Sequence, residues 1–167
     1  MCVALFASSL QLQVPGVLPS PQLIALAHDA ARVHAIWPEL VCAIVEQESS
    51  WNPWALRYEP AFYSRYVQAQ LARGAIEHET EARGRAFSWG LMQVMGQVAR
   101  EHGFAGLSLA SLCDPVTALE IGCRVLVSRL AAAGGNVARA LELWNGGGNR
   151  DYAAAVLARV THYTVST

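Results

Sequence analysis

The sequence predicts an all-α domain, and three observations carry that expectation. Apolar residues recur at helical spacing through most of the chain, several of these segments open on a capping side chain followed by proline, and no run alternates cleanly enough to read as a strand. With 167 residues, 53% of them hydrophobic and 15% charged, the chain holds enough apolar side chain for one sizeable core. A single domain over residues 20–167 is expected.

In chain order, "SPQLIALAHDAARVH" has Ser20 as N-cap, Pro21 at the first helical position, and Leu23, Leu26, Ala27, Ala30 and Ala31 as its apolar stripe. "WPELVCAIVEQES" starts a second helix at Pro38 that stops before Pro53, and "PAFYSRYVQAQLARG" a third, closed by Gly74. Residues 75–87, the most polar stretch, read as a surface excursion. "WGLMQVMGQVAREHG" reads as an amphipathic helix stopped by Gly103, with Leu91, Val94, Met95 and Val98 toward the core and Gly90, Gln93 and Gln97 opposite. "DPVTALEIGCRVLVSRLAAAGG" has Asp114 as N-cap and Gly134 as terminator, and is apolar nearly all round, so it is expected to run through the centre. Asn136 and Asn149 are the expected N-caps of the last two helices.

The first 27 residues carry no charged side chain. A signal peptide would need a basic start, and Gln11, Gln13, Pro15, Pro19 and Pro21 argue against a membrane span, so residues 1–19 are expected to form an arm packed on the domain. A net charge of -1, with no basic run, argues against nucleic acid as a partner. Cys2, Cys42, Cys113 and Cys123 lack paired metal-ligand spacing and are expected to be buried free thiols, with neither metal nor cofactor.

"CAIVEQESSWNP" places two carboxylates two residues apart in an apolar run. On a helix Val41, Ile44, Val45 and Glu48 share one face, and Glu46 points away. A carboxylate among apolar neighbours has its charged form disfavoured and can keep a proton near neutral pH, which is what a general acid needs. The alternatives are that Glu48 lies at a frayed helix end or pairs with Arg57 or Arg124. Glu46 reads as a solvated surface residue.

"EQESSWNP", "SWGLMQVM" and "LWNGGGNRDY", in that order, resemble the successive motifs of the lytic transglycosylase family, which includes goose-type lysozyme-like proteins. The resemblance spans roughly residues 22–163. It implies a lysozyme-like helical domain with a cleft and a buried central helix. It assigns the catalytic glutamate to Glu48, which precedes serine, and makes Gln93, Met95, Trp144, Asn145 and Tyr152 the substrate-binding candidates. From the residues alone, Gln93 reads more simply as a solvated amide, Met95 equally well as a core residue, and Trp144 as either a sugar-stacking or a core-filling ring.

The chain departs from the family's pattern in several places. Trp144 stands where the family has tyrosine and Gly146 where it has alanine. An insertion at about residues 58–87 lengthens the span from Glu48 to Gly90, and a segment with a second glutamate is missing. Glu59, in the insertion, is the candidate second carboxylate, with an ion pair to Arg57 or Arg65 as the plainer alternative.

The resemblance implies cleavage of the β-1,4 bond between N-acetylmuramic acid and N-acetylglucosamine of peptidoglycan strands, with Glu48 as acid and then base and a 1,6-anhydromuramoyl product. The alternatives are a hydrolytic muramidase using Glu59, and a non-catalytic glycan-binding or virion structural module. A monomer is expected, acting in the periplasm or cell wall and released by a holin or carried by a phage particle.

Overall fold

The computed structural model of the chain describes residues 19–164. The expected N-terminal arm and Cys2 therefore lie outside the described residues, apart from Pro19.

The locally encoded helices form where their caps place them. Helix α1 spans Pro21–Val33, with the Ser20 hydroxyl accepting from the Leu23 N–H at 3.2 Å. Helix α2 spans Pro38–Ser49 and stops where Ser50 turns left-handed at φ 49°, followed by Trp51 at φ 64°. Two successive non-glycine residues in that conformation cost about 1–2 kcal/mol each, so the surrounding contacts must hold them.

After α2 the chain forms strand β1 (Leu56–Tyr58) and then a nearly continuous helical rod: α3 (Pro60–Phe62), a π-wound turn (Tyr63–Val67) and α4 (Gln68–Ala72). Gly74, at φ 74°, follows the rod as expected. Helix α5 (Glu79–Arg85), strands β2 (Phe87–Trp89) and β3 (Val94–Met95), and helix α6 (Gly96–Glu101) come next. A 3₁₀ turn (Leu109–Cys113) leads into α7 (Pro115–Ala132), then α8 (Val137–Asn145) and α9 (Tyr152–Val160).

The fold is mainly helical as predicted, but it is not purely so. Strands β1, β2 and β3 form an antiparallel sheet in which Leu56 faces Trp89, Arg57 faces Ser88, and Ser88 faces Met95. The helix expected from Trp89 to Gly103 therefore exists only from Gly96, and the Gly-Leu-Met-Gln tetrad is the turn between β2 and β3. Its tip is buried: Leu91 and Met92 are fully inaccessible, which is why the segment carries the apolar pattern of a helix. Gly90 is required there, because it has φ 65° and a Cβ would come within 2.2 Å of the Leu112 carbonyl oxygen.

Three further expectations are corrected. Residues 75–87 hold α5 and bury Ile76, Ala82 and Ala86, which pack with Tyr63 and Val67 in a small second core. Asn149 does not cap α9 through its side chain; its Oδ1 accepts from the Asp151 N–H at 2.9 Å in the preceding turn, and the N-cap position falls on Asp151. Finally, the most enclosed helix is α2, where every residue from Leu40 to Val45 is buried between α1 and α9. Helix α7 lines the same core but exposes Val116 and Val127. Each fully buried Leu or Ile of α2 stabilises the fold by about 1.5–3 kcal/mol.

Cys42, Cys113 and Cys123 are buried free thiols, and burial pushes those of Cys42 and Cys123 up to about 12. Among the described residues no helix is long and apolar enough to cross a membrane.

Candidate active site

Glu48 lies in the last turn of α2, half-buried, where side chains from the start of α9 and the end of α8 reach it. Its Oε1 accepts two hydrogen bonds: the Tyr152 hydroxyl at 2.5 Å and the Trp144 indole N–H at 3.0 Å. Among the described residues no donor reaches Oε2. Burial pushes the Glu48 carboxyl above the usual carboxylate range, against the opposing pull of the Tyr152 and Trp144 hydrogen bonds and of the positive field of Arg57. Burial, and then the negative field of Glu48, push the Tyr152 phenol up, so it remains a donor.

This arrangement has a chemical consequence. With two donors on Oε1, that oxygen serves as the carbonyl of the neutral acid, and the proton belongs on Oε2, the oxygen without a protein partner. A half-buried carboxyl that keeps a proton on an uncommitted oxygen is equipped to donate it.

Neither cation named from the sequence holds Glu48 in an ion pair. Arg124 pairs with Glu120 at 2.8 Å, and Arg57 with Glu59 at 2.5 Å. Glu59 is thus engaged by Arg57, the plainer of its two alternatives, and makes no hydrogen bond or ion pair to Glu48.

Gln93 sits at the end of the β2–β3 turn with φ 47°. Its Nε2 donates to the carbonyls of Ala55 at 2.9 Å and Gly90 at 3.0 Å, so its amide clamps the turn to the chain entering β1. This turn is tied to the Glu48 region by Ser49, whose hydroxyl donates to the Leu91 carbonyl at 2.8 Å. Met95 is half-buried and accepts from the Ser88 hydroxyl through its sulfur. Asn145 closes the glycine turn after α8 by donating to the Asn149 carbonyl at 3.2 Å. The structure therefore brings Glu48, Trp144 and Tyr152 into direct contact, while Gln93, Met95, Asn145 and Glu59 make no hydrogen bond to the carboxylate.

Two features went unread in the sequence. Trp144 packs partly buried against the core and also supplies a donor to Glu48, where a tyrosine would have supplied one, a substitution that donor chemistry alone could have suggested. Glu46 is not a solvated residue. The Tyr163 hydroxyl donates to its Oε2 at 2.7 Å, His162 Nδ1 lies 3.1 Å from the same oxygen, and Arg159 Nε stands 3.5 Å from Oε1. All three partners come from the far end of the chain, and no local pattern could have announced them.

Two concavities lie away from Glu48. One of about 400 Å³ is lined by Trp89, Leu109 and Glu81, and one of about 310 Å³ by His34, Val127 and Leu130.

A family model described as "Transglycosylase SLT domain" matches residues 25–158. No curated protein and no solved structure gives a significant match.

Proposed function

The chain belongs to the transglycosylase SLT family, a family of lytic transglycosylases acting on peptidoglycan, and on that premise we propose that Glu48 is the single general acid and base of a non-hydrolytic cleavage. The observation that carries this reading is the double hydrogen bond to Glu48 Oε1, which leaves Oε2 for the transferable proton.

In the first step Oε2–H protonates the glycosidic oxygen between N-acetylmuramic acid and N-acetylglucosamine, and the C1–O bond breaks with oxocarbenium character. Trp144 and Tyr152 then stabilise the carboxylate left behind, as hydrogen bonds to the charged form do. In the second step that carboxylate removes the proton of the muramoyl C6 hydroxyl as its oxygen attacks C1, closing a 1,6-anhydro ring. The hydroxyl is tethered to the sugar that it attacks, so proximity favours it over water. Gln93, with its N–H groups engaged by the protein, has a carbonyl oxygen to offer an N-acetyl or hydroxyl group of the glycan. Trp144 and Asn145, from the motif at the end of α8, are the further nominees for glycan contact. The substrate sets the place of action in the periplasm or cell wall.

A hydrolytic muramidase would need a second carboxylate to hold water or attack C1. Glu59 is the nominee, and its ion pair with Arg57 favours a structural role.

Mass spectrometry of digested peptidoglycan tests both points. The expected muropeptides end in 1,6-anhydromuramic acid, ~18 Da lighter than hydrolysed ones because no water is added. Glu48→Gln is expected to abolish their release while the protein stays folded, and Glu59→Gln to leave the product unchanged. Reducing muramic acid as the main product, lost in Glu59→Gln, would sink the non-hydrolytic reading.

A further inference from the structure

Glu46 and Glu48, two residues apart on α2, point about 200° from each other around the helix axis. Both are nevertheless held by the C-terminal part of the chain. Tyr152, the first residue of α9, donates to Glu48, and Arg159, His162 and Tyr163, at and beyond its end, gather on Glu46. The same Tyr163 hydroxyl accepts from the indole N–H of Trp51 at 2.8 Å. Trp51 is the buried second residue of the left-handed turn that ends α2. A relay of Trp51, Tyr163 and Glu46 thus fastens the strained turn back onto the last turn of its own helix, from the side opposite Glu48.

A helix gripped on two nearly opposite faces cannot rotate about its axis without breaking one grip. We propose that Glu46 is a positioning residue for the reaction: through Tyr163, His162 and Arg159 it sets the rotation of the last turn of α2, and so the aim of the Glu48 carboxyl at Tyr152, Trp144 and the substrate. It touches no reacting atom. The assignment rests on the role given to Glu48 above and extends it to a residue on the opposite face. The charged and titratable groups facing the pair are Arg159, His162 and Tyr163 around Glu46, and Tyr152 and, at longer range, Arg57 around Glu48.

Three variants test it. Tyr163→Phe breaks the relay without changing any charge at neutral pH, Glu46→Ala removes the hub, and Glu46→Gln keeps a carbonyl able to accept from Tyr163. With soluble glycan strands as substrate, kcat per folded molecule is expected to fall about tenfold or more in Tyr163→Phe and Glu46→Ala, since small misplacements of a catalytic group cost that much. KM should stay within about twofold, and Glu46→Gln should recover most of the turnover.

Carbon-detected NMR titration of the Glu48 carboxyl, without substrate, supplies the second readout. In Tyr163→Phe its midpoint is expected to move toward the ordinary carboxylate value by about half a unit or more, as water reaches a loosened site. An unmoved Glu48 titration in Tyr163→Phe, or wild-type kcat per folded molecule in both Tyr163→Phe and Glu46→Ala, would overturn the assignment and leave Glu46 as an anchor for α9. The titration needs no glycan, so it decides the positioning role separately from the cleavage reading, which an active Glu48→Gln would overturn on its own.

Discussion

Trp144 and Glu48, 96 residues apart in the chain, meet through an N–H···O bond of 3.0 Å, and the donor is one that never loses its proton. An indole N–H stabilises the ionised form of Glu48 whatever the pH. Trp144→Phe keeps a ring of comparable shape and removes the donor. The Glu48 carboxyl should then titrate at higher pH, because a bond that favoured its charged form is gone. The first step needs the protonated acid, so the basic limb of the kcat–pH profile should move to higher pH while maximal kcat falls about tenfold or more. An unshifted basic limb would show that the bond is silent in turnover.

Glu48 also has a signature in stability. Its folded-state titration lies above the ordinary value of 4.5, so the folded protein binds a proton more readily than the unfolded chain. The sign follows from linkage: this contribution to stability is fully present below the unfolded value and is lost as pH rises through the folded one. Glu48→Gln, which keeps an acceptor for Tyr152 and Trp144 but never ionises, should therefore melt at a higher temperature than wild type at neutral pH. The two curves should converge below about pH 4. Thermal melts across pH check this, and a Glu48→Gln protein less stable than wild type at neutral pH would contradict it.

Gln93 clamps its own turn, besides the glycan contact proposed for its carbonyl oxygen. Gln93→Ala loses the hydrogen bonds to Ala55 and Gly90 and keeps the left-handed backbone, so it should cost about 1–3 kcal/mol in denaturant unfolding besides weakening turnover. Asn145→Ala loses one more exposed bond and should cost about 1 kcal/mol or less.

Two glycines with similar φ, 65° at Gly90 and 60° at Gly134, should respond differently to the same change. Gly90→Ala meets the Leu112 carbonyl oxygen at 2.2 Å, whereas Gly134→Ala meets nothing within 4 Å. Gly134→Ala should cost only the backbone strain, about 1–2 kcal/mol. Gly90→Ala should cost more than about 4 kcal/mol or fail to fold, because the atom in the way is backbone. Equal losses in melting temperature would mean that the turn can move aside.

How legible each part was depended on how far away its partners lie. Ser20, Asp114 and Asn136 cap their helices through N–H groups three residues on, so a local pattern was enough to place them. Glu48 was legible because helical periodicity put it on the same face as Val41, Ile44 and Val45. The sheet was not, since strands of three, three and two residues are too short to show alternation, and the buried Leu91 and Met92 at its turn imitate a helix. His162 and Tyr163, which meet Glu46, lie 116 and 117 residues on, where spacing along the chain carries no signal. Trp144 was placed by its motif, but its contact with Glu48 follows only from the packing that brings the end of α8 to the end of α2.

The insert's separate core carries its own consequence for motion. Tyr63, Val67, Ile76, Ala82 and Ala86 form a cluster apart from the main one, and α5 is fastened to the rest of the domain by the 2.9 Å pairing of Glu81 with Arg100. Among the described residues the rod from Pro60 to Ala72 has no comparable fastening and rests chiefly on that cluster. It should behave as a unit of low local stability, opening and closing many times for each global unfolding event. Its amides should exchange with deuterium well before those of Leu40–Val45, so this part of the insert can breathe while α2 stays closed.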